Sequence, residues 1–550
     1  MMTGAQAMVR SLEAEGVTTV FGYPGAAICP FYDSLAGSSI HHVLVRQEQH
    51  AGHAASGWAR ACGGVGVCVA TSGPGALNLM TAIATAYMDS IPLVAITGQV
   101  SSELLGRDSF QEADITGACV SFTKHRYLVN DARTLPRIFK EAFYLASTGR
   151  KGPVLIDVPI DVQRASLDFE YPEKASLRSY NPNVKGHAVQ IRRALEALEA
   201  AERPLICAGG GVFGAGAERT LLDFAERGNI PVITTMMGLG AMPSEHPLFM
   251  GMLGMFGSRC SNRALAECDT LLIAGARVGD RAMSTPELLA RDKTVIHIDI
   301  DPAEIGKNMG ASIPIVGDLA LVLGQIYEGM SPMRHDDWLS SLNRWRSEES
   351  AESAARRDEN SFEPVSFVRA LTSAMPEGGI LVADVGQNQL WSAAGFSVRH
   401  GRFLTSGGMG TMGYSLPAAI GAKLARPEKT VAAICGDGAL QMEMCELATM
   451  VQERAAVKYV VMRNSCLGMI REIQDKSYGG RHTAIELDGL PDIGKLAAAY
   501  GLPYMRISEN SETPAGVKFL LETEGPAVLE CVVPPETATA GGRFKGGSAR

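Results

Sequence analysis

A carboxylate and an amide in the last third of the chain have the types and spacing to hold a cation. Gly436-Asp437-Gly438 follows the apolar run 430–435, and Asn464 follows the apolar run 458–462. In an open parallel sheet, ligands sit outside the carboxyl ends of the strands. A helix around 442–454 would make the two strands neighbours and bring both residues to such ends. One carboxylate and one amide oxygen suit a hard cation such as Mg²⁺, which takes its remaining ligands from phosphates and water. The flanking glycines let a diphosphate approach the main chain. Asp437 would serve equally as a helix-capping acid and Asn464 as a turn residue, so position alone leaves both readings open.

Glu48 stands at a strand end in Arg46-Gln47-Glu48-Gln49-His50, before a helix of small residues. It reads either as a first-turn acid favoured by the helix dipole or as a buried carboxylate that hydrogen-bonds a cofactor nitrogen. Gly209, Gly211 and Gly214 follow another strand in dinucleotide spacing, which is weak by itself. The acid expected about 20 residues later is missing. Asp299 and Asp301 come much further on, so a different nucleotide lying across several strand ends fits better than NAD. His50, His53, His125 and His297 are scattered, and none is assigned to a metal. No G-x-S-x-G, H-E-x-x-H or P-loop occurs.

The elements that must position these residues are strands alternating with helices. Apolar strands are expected at 18–21, 43–45, 65–70, 93–97 and 154–158. A second series runs at 204–208, 231–235, 270–274 and 294–300, and a third at 380–383, 430–435, 458–462 and 527–532. Such alternation means parallel βαβ units with helices on both faces. Polar stretches at 166–186 and 336–360 read as linkers, the second with a charged helix, and the tail from Ala540 as a mobile segment. The first and third series could share a fold. The chain has 550 residues, net charge −9 and eleven Cys without a C-x-x-C pair. This excludes a dedicated nucleic-acid binder and reads as a reduced, cytoplasmic protein with Cys in its cores. No apolar stretch marks a signal peptide or a membrane span.

Many segments match one family in order along nearly the whole chain. They include GYPGAAICPFYDSL (22–35), RQEQHAGHAASGWARA (46–61), ATSGPGALNLMT (70–81), DSFQEADI (108–115), GARVGDR (275–281), HIDIDPAEIGKN (297–308), DVGQNQLW (384–391) and TSGGMGTMGYSLPAAIGA (405–422). With Gly436-Asp437-Gly438 and Asn464 they resemble the catalytic (large) subunits of the acetohydroxyacid (acetolactate) synthases, thiamine-diphosphate enzymes of the FAD-containing biosynthetic branch. The resemblance implies an α/β fold of three doubly wound parallel-sheet domains. These are a thiamine-pyrimidine domain over 1–165, a Rossmann-like FAD domain over 186–330 and a diphosphate and Mg²⁺ domain over 360–550.

It further implies a transferase that decarboxylates pyruvate on thiamine diphosphate and passes the hydroxyethyl unit to pyruvate or 2-oxobutanoate. That is the first common step of isoleucine and valine biosynthesis. The alternative is another thiamine-dependent 2-oxo-acid carboligase or decarboxylase with a different acceptor. Glu48 matches the glutamate that protonates the aminopyrimidine. Phe110, Gln111 and Met469 match residues around the reacting end, and Arg281 the arginine for the second substrate's carboxylate. Pro74, Asn78, Gln387, Asn388, Gly410, Met412, Gly436, Gly438, Ala439 and Gly468 match the thiamine site, with Met412 propping the cofactor's bend. Asp437, Asn464 and the carbonyl of Cys466 match the Mg²⁺ ligands. Arg150, Gly210, Gly211, Thr235, Met236, Gly254, Gly275, Arg277, Asp280, Asp299, Ile300 and Asp318 match the site of a structural FAD. A homodimer or tetramer sharing its sites between subunits is implied, with a small regulatory subunit as a typical partner. The sequence departs from the family at Ile160, where Lys is usual, at Ile473, where Trp is usual, and at Asn388, where His is usual. The first two bear on acceptor choice.

Overall fold

Apolar runs and helical segments fold into three six-stranded parallel sheets, each covered by helices on both faces. The computed structural model describes residues 1–355 and 361–539. The basic, Gly-rich tail from Ala540 and the end of the second expected linker lie outside the described residues. The first sheet holds β1 (Thr19–Gly22), β2 (His41–Leu44), β3 (Gly66–Ala70), β4 (Leu93–Gln99), β5 (His125–Leu128) and β6 (Pro153–Pro159), in the order β2-β1-β3-β4-β6-β5. The second holds β7 (Pro204–Ala208), β8 (Val232–Thr234), β9 (Phe249–Met252), β10 (Thr270–Ala274), β11 (Thr294–Asp299) and β12 (Ile313–Val316), in the order β9-β8-β7-β10-β11-β12. The third holds β13 (Ile380–Ala383), β14 (Arg402–Leu404), β15 (Val431–Gly436), β16 (Val457–Arg463), β17 (Tyr504–Ile507) and β18 (Ala527–Val532), in the order β14-β13-β15-β16-β18-β17. The first and third sheets therefore have the same strand order. The central one has the dinucleotide-binding order, reversing direction between β7 and β10.

The inner strands are buried on both faces, which is why they read as continuous apolar runs. In the three six-stranded sheets, the strands the sequence reading leaves out are β5, β9, β12, β14 and β17, and every one is a sheet edge. They are short, and several alternate buried with solvent-facing residues, so no apolar run announces them.

Two expected linkers are packed instead. In 166–186, Phe169, Tyr171, Leu177 and Tyr180 lie against the first core, and the Tyr180 hydroxyl meets Lys124 Nζ at 3.0 Å. The charged helix Asp336–Ala355 buries Trp338, Leu342 and Trp345 in the central domain, and Trp338 Nε1 donates to Pro204 O at 3.0 Å. No helix among the described residues is long and apolar enough to cross a membrane.

Within the chain, the first and third domains meet through the helices Glu48–Cys62 and Ser415–Ala425. A Cβ on Gly57 would lie 1.9 Å from Ala418 O, and one on Gly421 the same distance from Ala54 O. Mid-helix glycine costs about 0.5–1 kcal/mol relative to alanine. Here it permits the two backbones to touch, which docks the helix starting at Glu48 directly onto the third domain.

Candidate functional site

Glu48 is the first residue of its helix, after Gln47 in extended conformation. The acid in the first turn faces the positive helix end. It is half-buried rather than buried. Asn78 Nδ2 donates to Oε2 at 2.9 Å, and a Cβ on Gly75 would lie 3.2 Å from Oε1. Pro74 opens the short helix Pro74–Asn78 that follows β3. The Gly73 main chain abuts that of Gln111, whose φ is +60°. Glu48, Pro74, Asn78 and Gln111 are thus gathered beyond the carboxyl ends of β2 to β4. Phe110 projects into solvent, 88% exposed.

Beneath the Gln111 loop lies a buried pair that the sequence reading missed. Gln99 Nε2 donates to Ala113 O at 2.8 Å and to Asp157 Oδ2 at 3.0 Å, while Thr97 Oγ1 donates to Asp157 Oδ1 at 2.6 Å. Burial pushes the Asp157 carboxyl from 3.8 up to about 7, against those two hydrogen bonds. Between these values the folded state holds a proton that the unfolded state releases. Its contribution therefore falls as pH rises from about 4 to about 7, by roughly 4 kcal/mol at most. Asp157→Asn removes the titration. Its Tm is expected above that of the unsubstituted protein at pH 8 and not at pH 5; the same Tm difference at both pH values would refute this.

In the third domain, Asp437 and Asn464 end the adjacent strands β15 and β16, as expected. The expected helix around 442–454 is two shorter pieces, Asp437–Glu443 and Leu447–Gln452, joined by a 3-10 turn. Asp437 is 1% exposed, and Oδ2 accepts Asn464 N at 3.1 Å and Ser465 N at 2.6 Å. Burial pushes its carboxyl up to about 6, partly offset by these main-chain donors. Asn464 Oδ1 accepts Cys466 N at 3.2 Å, and Nδ2 donates to Gln387 Oε1 at 3.0 Å. The Gln387 contact requires Gly468, since a Cβ there would lie 1.9 Å from Gln387 Oε1. A Cβ on Gly438, next to Ala439, would lie 3.4 Å from the Met412 methyl, while one on Gly436 would lie 3.4 Å from Asn388 Oδ1 and one on Gly410 3.9 Å from Val385 Cγ1. Met469 follows Gly468 in the helix Gly468–Ser477, whose Ile473 is 46% exposed.

Asn388 departs from its expected role. Its amide donates inward, to Asp384 O at 2.8 Å and Ile434 O at 3.3 Å, because the start of the helix Gln387–Gly395 turns it into the core. Gln387 Nε2 is also engaged, by Glu472 Oε1 at 2.6 Å and by Thr537 O at 3.0 Å. Residues 534–539 therefore lie against the site. Two buried acids to which the sequence reading gives no role, Asp384 and Glu443, fix the turn carrying Met412. Asp384 accepts Gly413 N and Ser415 N, and Glu443 accepts Ser415 Oγ and Leu416 N, all at 2.7–3.1 Å.

The central domain gathers its expected residues at strand ends. Gly211 N donates to Gly275 O at 2.9 Å, and a Cβ on either glycine would clash with the other's backbone. Gly210, Thr235 with Met236, and Asp299 with Ile300 follow β7, β8 and β11. Burial pushes the Asp299 carboxyl up to about 6. Arg150 crosses from the first domain to Asp301 at 3.1 Å and Glu304 at 3.0 Å. Gly254 backs onto the Arg281 carbonyl, while the Arg281 side chain is exposed, 3.6 Å from Asp280. Asp280 lines an open cavity of about 390 Å³ with Val278, Met283, Ser284, Lys307 and Asn308, and Arg277 lies in the same loop. Asp318 accepts Leu321 N at 3.2 Å, so its carboxylate caps the helix Leu319–Gly329.

The groups present fit a cation bound with a diphosphate. Carboxylate, amide oxygen and main-chain carbonyl make an all-oxygen donor set, the chemistry of a hard cation rather than a thiophilic one. Beside Asp437, a Cβ on Gly438 would already lie 3.0 Å from Leu467 Cδ2, so glycine keeps the main chain there open to a ligand. The central strand order and its glycine turn fit a nucleotide in the crevice.

Comparison with known proteins agrees with this arrangement. Residues 2–118 match the thiamine pyrophosphate enzyme N-terminal TPP binding domain, 191–326 the central domain and 384–531 the C-terminal TPP binding domain. A probable acetolactate synthase large subunit of Methanocaldococcus jannaschii is 44% identical over 98% of this chain and 93% of its own. The acetolactate synthase isozyme 3 large subunit of Escherichia coli is 42% identical over 95% and 92%. The acetolactate synthase large subunit of Corynebacterium glutamicum is 43% identical over 97% and 87%. With all three domain matches in order on three matching sheets, the chain belongs to the thiamine pyrophosphate enzymes and, within them, to the acetolactate synthase large subunits.

Proposed function

We propose that the chain joins two 2-oxo acids with loss of CO₂, making acetolactate from two pyruvates and acetohydroxybutanoate when 2-oxobutanoate is the acceptor. The observation that carries this is the oxygen set of Asp437, Asn464 and Cys466 beside Gly438 and Met412. When bound, thiamine diphosphate supplies the electron sink for decarboxylation and for transfer of the two-carbon unit. Asp437, Asn464 and the Cys466 carbonyl would hold Mg²⁺. Gln387 and the main chain at Gly436, Gly438, Ala439, Gly468 and Met469 would hold the diphosphate, with Gly410 and Met412 shaping the space beside it. Glu48, supported by Asn78 and Pro74, holds and moves a proton at its carboxylate. Phe110 and Gln111 shield the reacting end from water, and Arg281 pairs with the acceptor's carboxylate.

Arg150, Gly210, Gly211, Thr235, Met236, Gly254, Gly275, Arg277, Asp280, Asp299, Ile300 and Asp318 would hold FAD in the central crevice, where it would have a structural role. We also take the chain to act as a homodimer or tetramer, with a small regulatory subunit as partner. Half-buried Glu48 and solvent-exposed Phe110 support a site completed by a second copy. The test is product identity by mass spectrometry, with pyruvate, thiamine diphosphate, Mg²⁺ and FAD, with and without 2-oxobutanoate. Acetolactate, joined by acetohydroxybutanoate in the mixture, is expected. Acetaldehyde without carboligation would overturn the reading.

A further inference from the structure

The residues on either side of Glu48 are held by one carboxylate of the third domain. Glu446 ends the 3-10 turn Met444–Glu446, and its side chain is fully buried. Oε1 accepts Arg46 N at 2.8 Å and His50 Nδ1 at 2.9 Å, and Oε2 accepts Thr449 Oγ1 at 2.6 Å. An ionised carboxylate only accepts, so His50 carries its proton on Nδ1. Arg46 and His50 stand two residues before and two residues after Glu48. The same face of the third domain makes further contacts to this turn. The Arg46 guanidinium reaches Gln452 Oε1 at 2.9 Å, and Thr449 Oγ1 lies 3.2 Å from Leu44 O.

Cys445 Sγ lies 3.7 Å from His50 Nδ1 and 3.9 Å from Glu446 Oε1, the spacing of a metal triad. The cluster is already satisfied without an ion. Three donors occupy the carboxylate, and burial pushes the Cys445 thiol up to about 11, so it stays protonated. What remains is a clamp across the turn that presents Glu48. Among the described residues the Glu48 side chain is tethered only by Asn78, so its direction is set by the chain on both sides.

We propose that Glu446 is a positioning residue for Glu48, gripping the main chain at Arg46 and the imidazole of His50 so that the Glu48 carboxylate is held in its working direction. The inference rests on the proton-handling role of Glu48 proposed above. A group displaced by about 1 Å can cost on the order of 10²-fold in rate, and first-contact residues need supporting partners to stay in place.

The test compares Glu446→Ala, Glu446→Gln, Glu48→Gln and the double variant Glu48→Gln/Glu446→Ala in the holoenzyme. The readouts are kcat and KM for pyruvate, thiamine diphosphate affinity by tryptophan fluorescence, Tm, and the rate of hydrogen–deuterium exchange at C2 of the bound thiamine. Glu446→Ala is expected to lower kcat and the exchange rate together by about 10- to 100-fold. KM and cofactor affinity should stay within about threefold, since no contact to either is removed. Glu446→Gln keeps an acceptor for Arg46 N and should recover most of the loss. In the Glu48→Gln background Glu446→Ala should add nothing, because residues acting through one group are not additive.

The same factor in both backgrounds would overturn the proposal, as would a loss confined to Tm and cofactor affinity. If Glu446→Ala does not fold, His50→Gln removes one grip alone and is read against Glu48→Gln in the same way. Undiminished activity in Glu48→Gln would overturn the role of Glu48 and this inference with it. Activity lost in Glu48→Gln yet indifferent to Glu446 overturns only the clamp.

Discussion

Glu48→Gln is expected to lower kcat by about 10²- to 10⁴-fold, the usual worth of a positioned proton-transfer group, while the protein folds and binds thiamine diphosphate normally. The substitution keeps side-chain volume and leaves an oxygen to accept Asn78 Nδ2, the one hydrogen bond Glu48 makes among the described residues. Gly75 still fits beside it, and the helix Glu48–Cys62 loses only a first-turn charge. That charge is worth about 0.3–1 kcal/mol against the helix dipole, too little to unfold a helix docked at Gly57 and Gly421. What Gln cannot do is give and take a proton. Steady-state kinetics with cofactor binding followed by fluorescence separates the two. Turnover within threefold of the unsubstituted enzyme would remove Glu48 from the chemistry.

Asp437→Asn is expected to weaken Mg²⁺-dependent cofactor binding by about 10²-fold or more. Loss of a mere supporting residue already costs a metal site 10- to 100-fold, and Asp437 is the only carboxylate in the proposed donor set. The remaining amide oxygen can still accept Asn464 N and Ser465 N, so the turn between β16 and the helix Gly468–Ser477 should hold. The buried carboxyl, pushed up to about 6, shows how poorly this place tolerates an unpaired negative charge. A bound divalent ion would supply the missing positive charge and favour the ionised form. Titration of Mg²⁺ against thiamine diphosphate binding checks this. An unchanged Mg²⁺ requirement, with Tm also unchanged, would place the cation elsewhere.

Much of this site is legible in the sequence because it sits where local pattern ends. Asp437 and Asn464 follow two apolar runs, and residues at the carboxyl ends of neighbouring parallel strands must converge. Glu48 is marked the same way, by a strand followed at once by a helix of small residues. The strands that escape reading are edges such as Arg402–Leu404 and Tyr504–Ile507, which are short and not buried on both faces. The common strand order of the first and third sheets is likewise invisible, since short strands of unlike composition carry it.

By itself, then, the sequence determined the three α/β series, the inner strands and the chemistry of the residues at their ends, because periodicity and strand termini are local properties. Only the tertiary structure decided which acids hold that chemistry in place. Asp384 and Glu443 secure the turn at Met412, Glu472 holds Gln387, and Glu446 grips the residues around Glu48. His50 and Glu446 are 396 residues apart in the chain. A buried carboxylate needs donors within hydrogen-bond reach, and tertiary packing, which leaves no trace in local composition, chooses which donors those are.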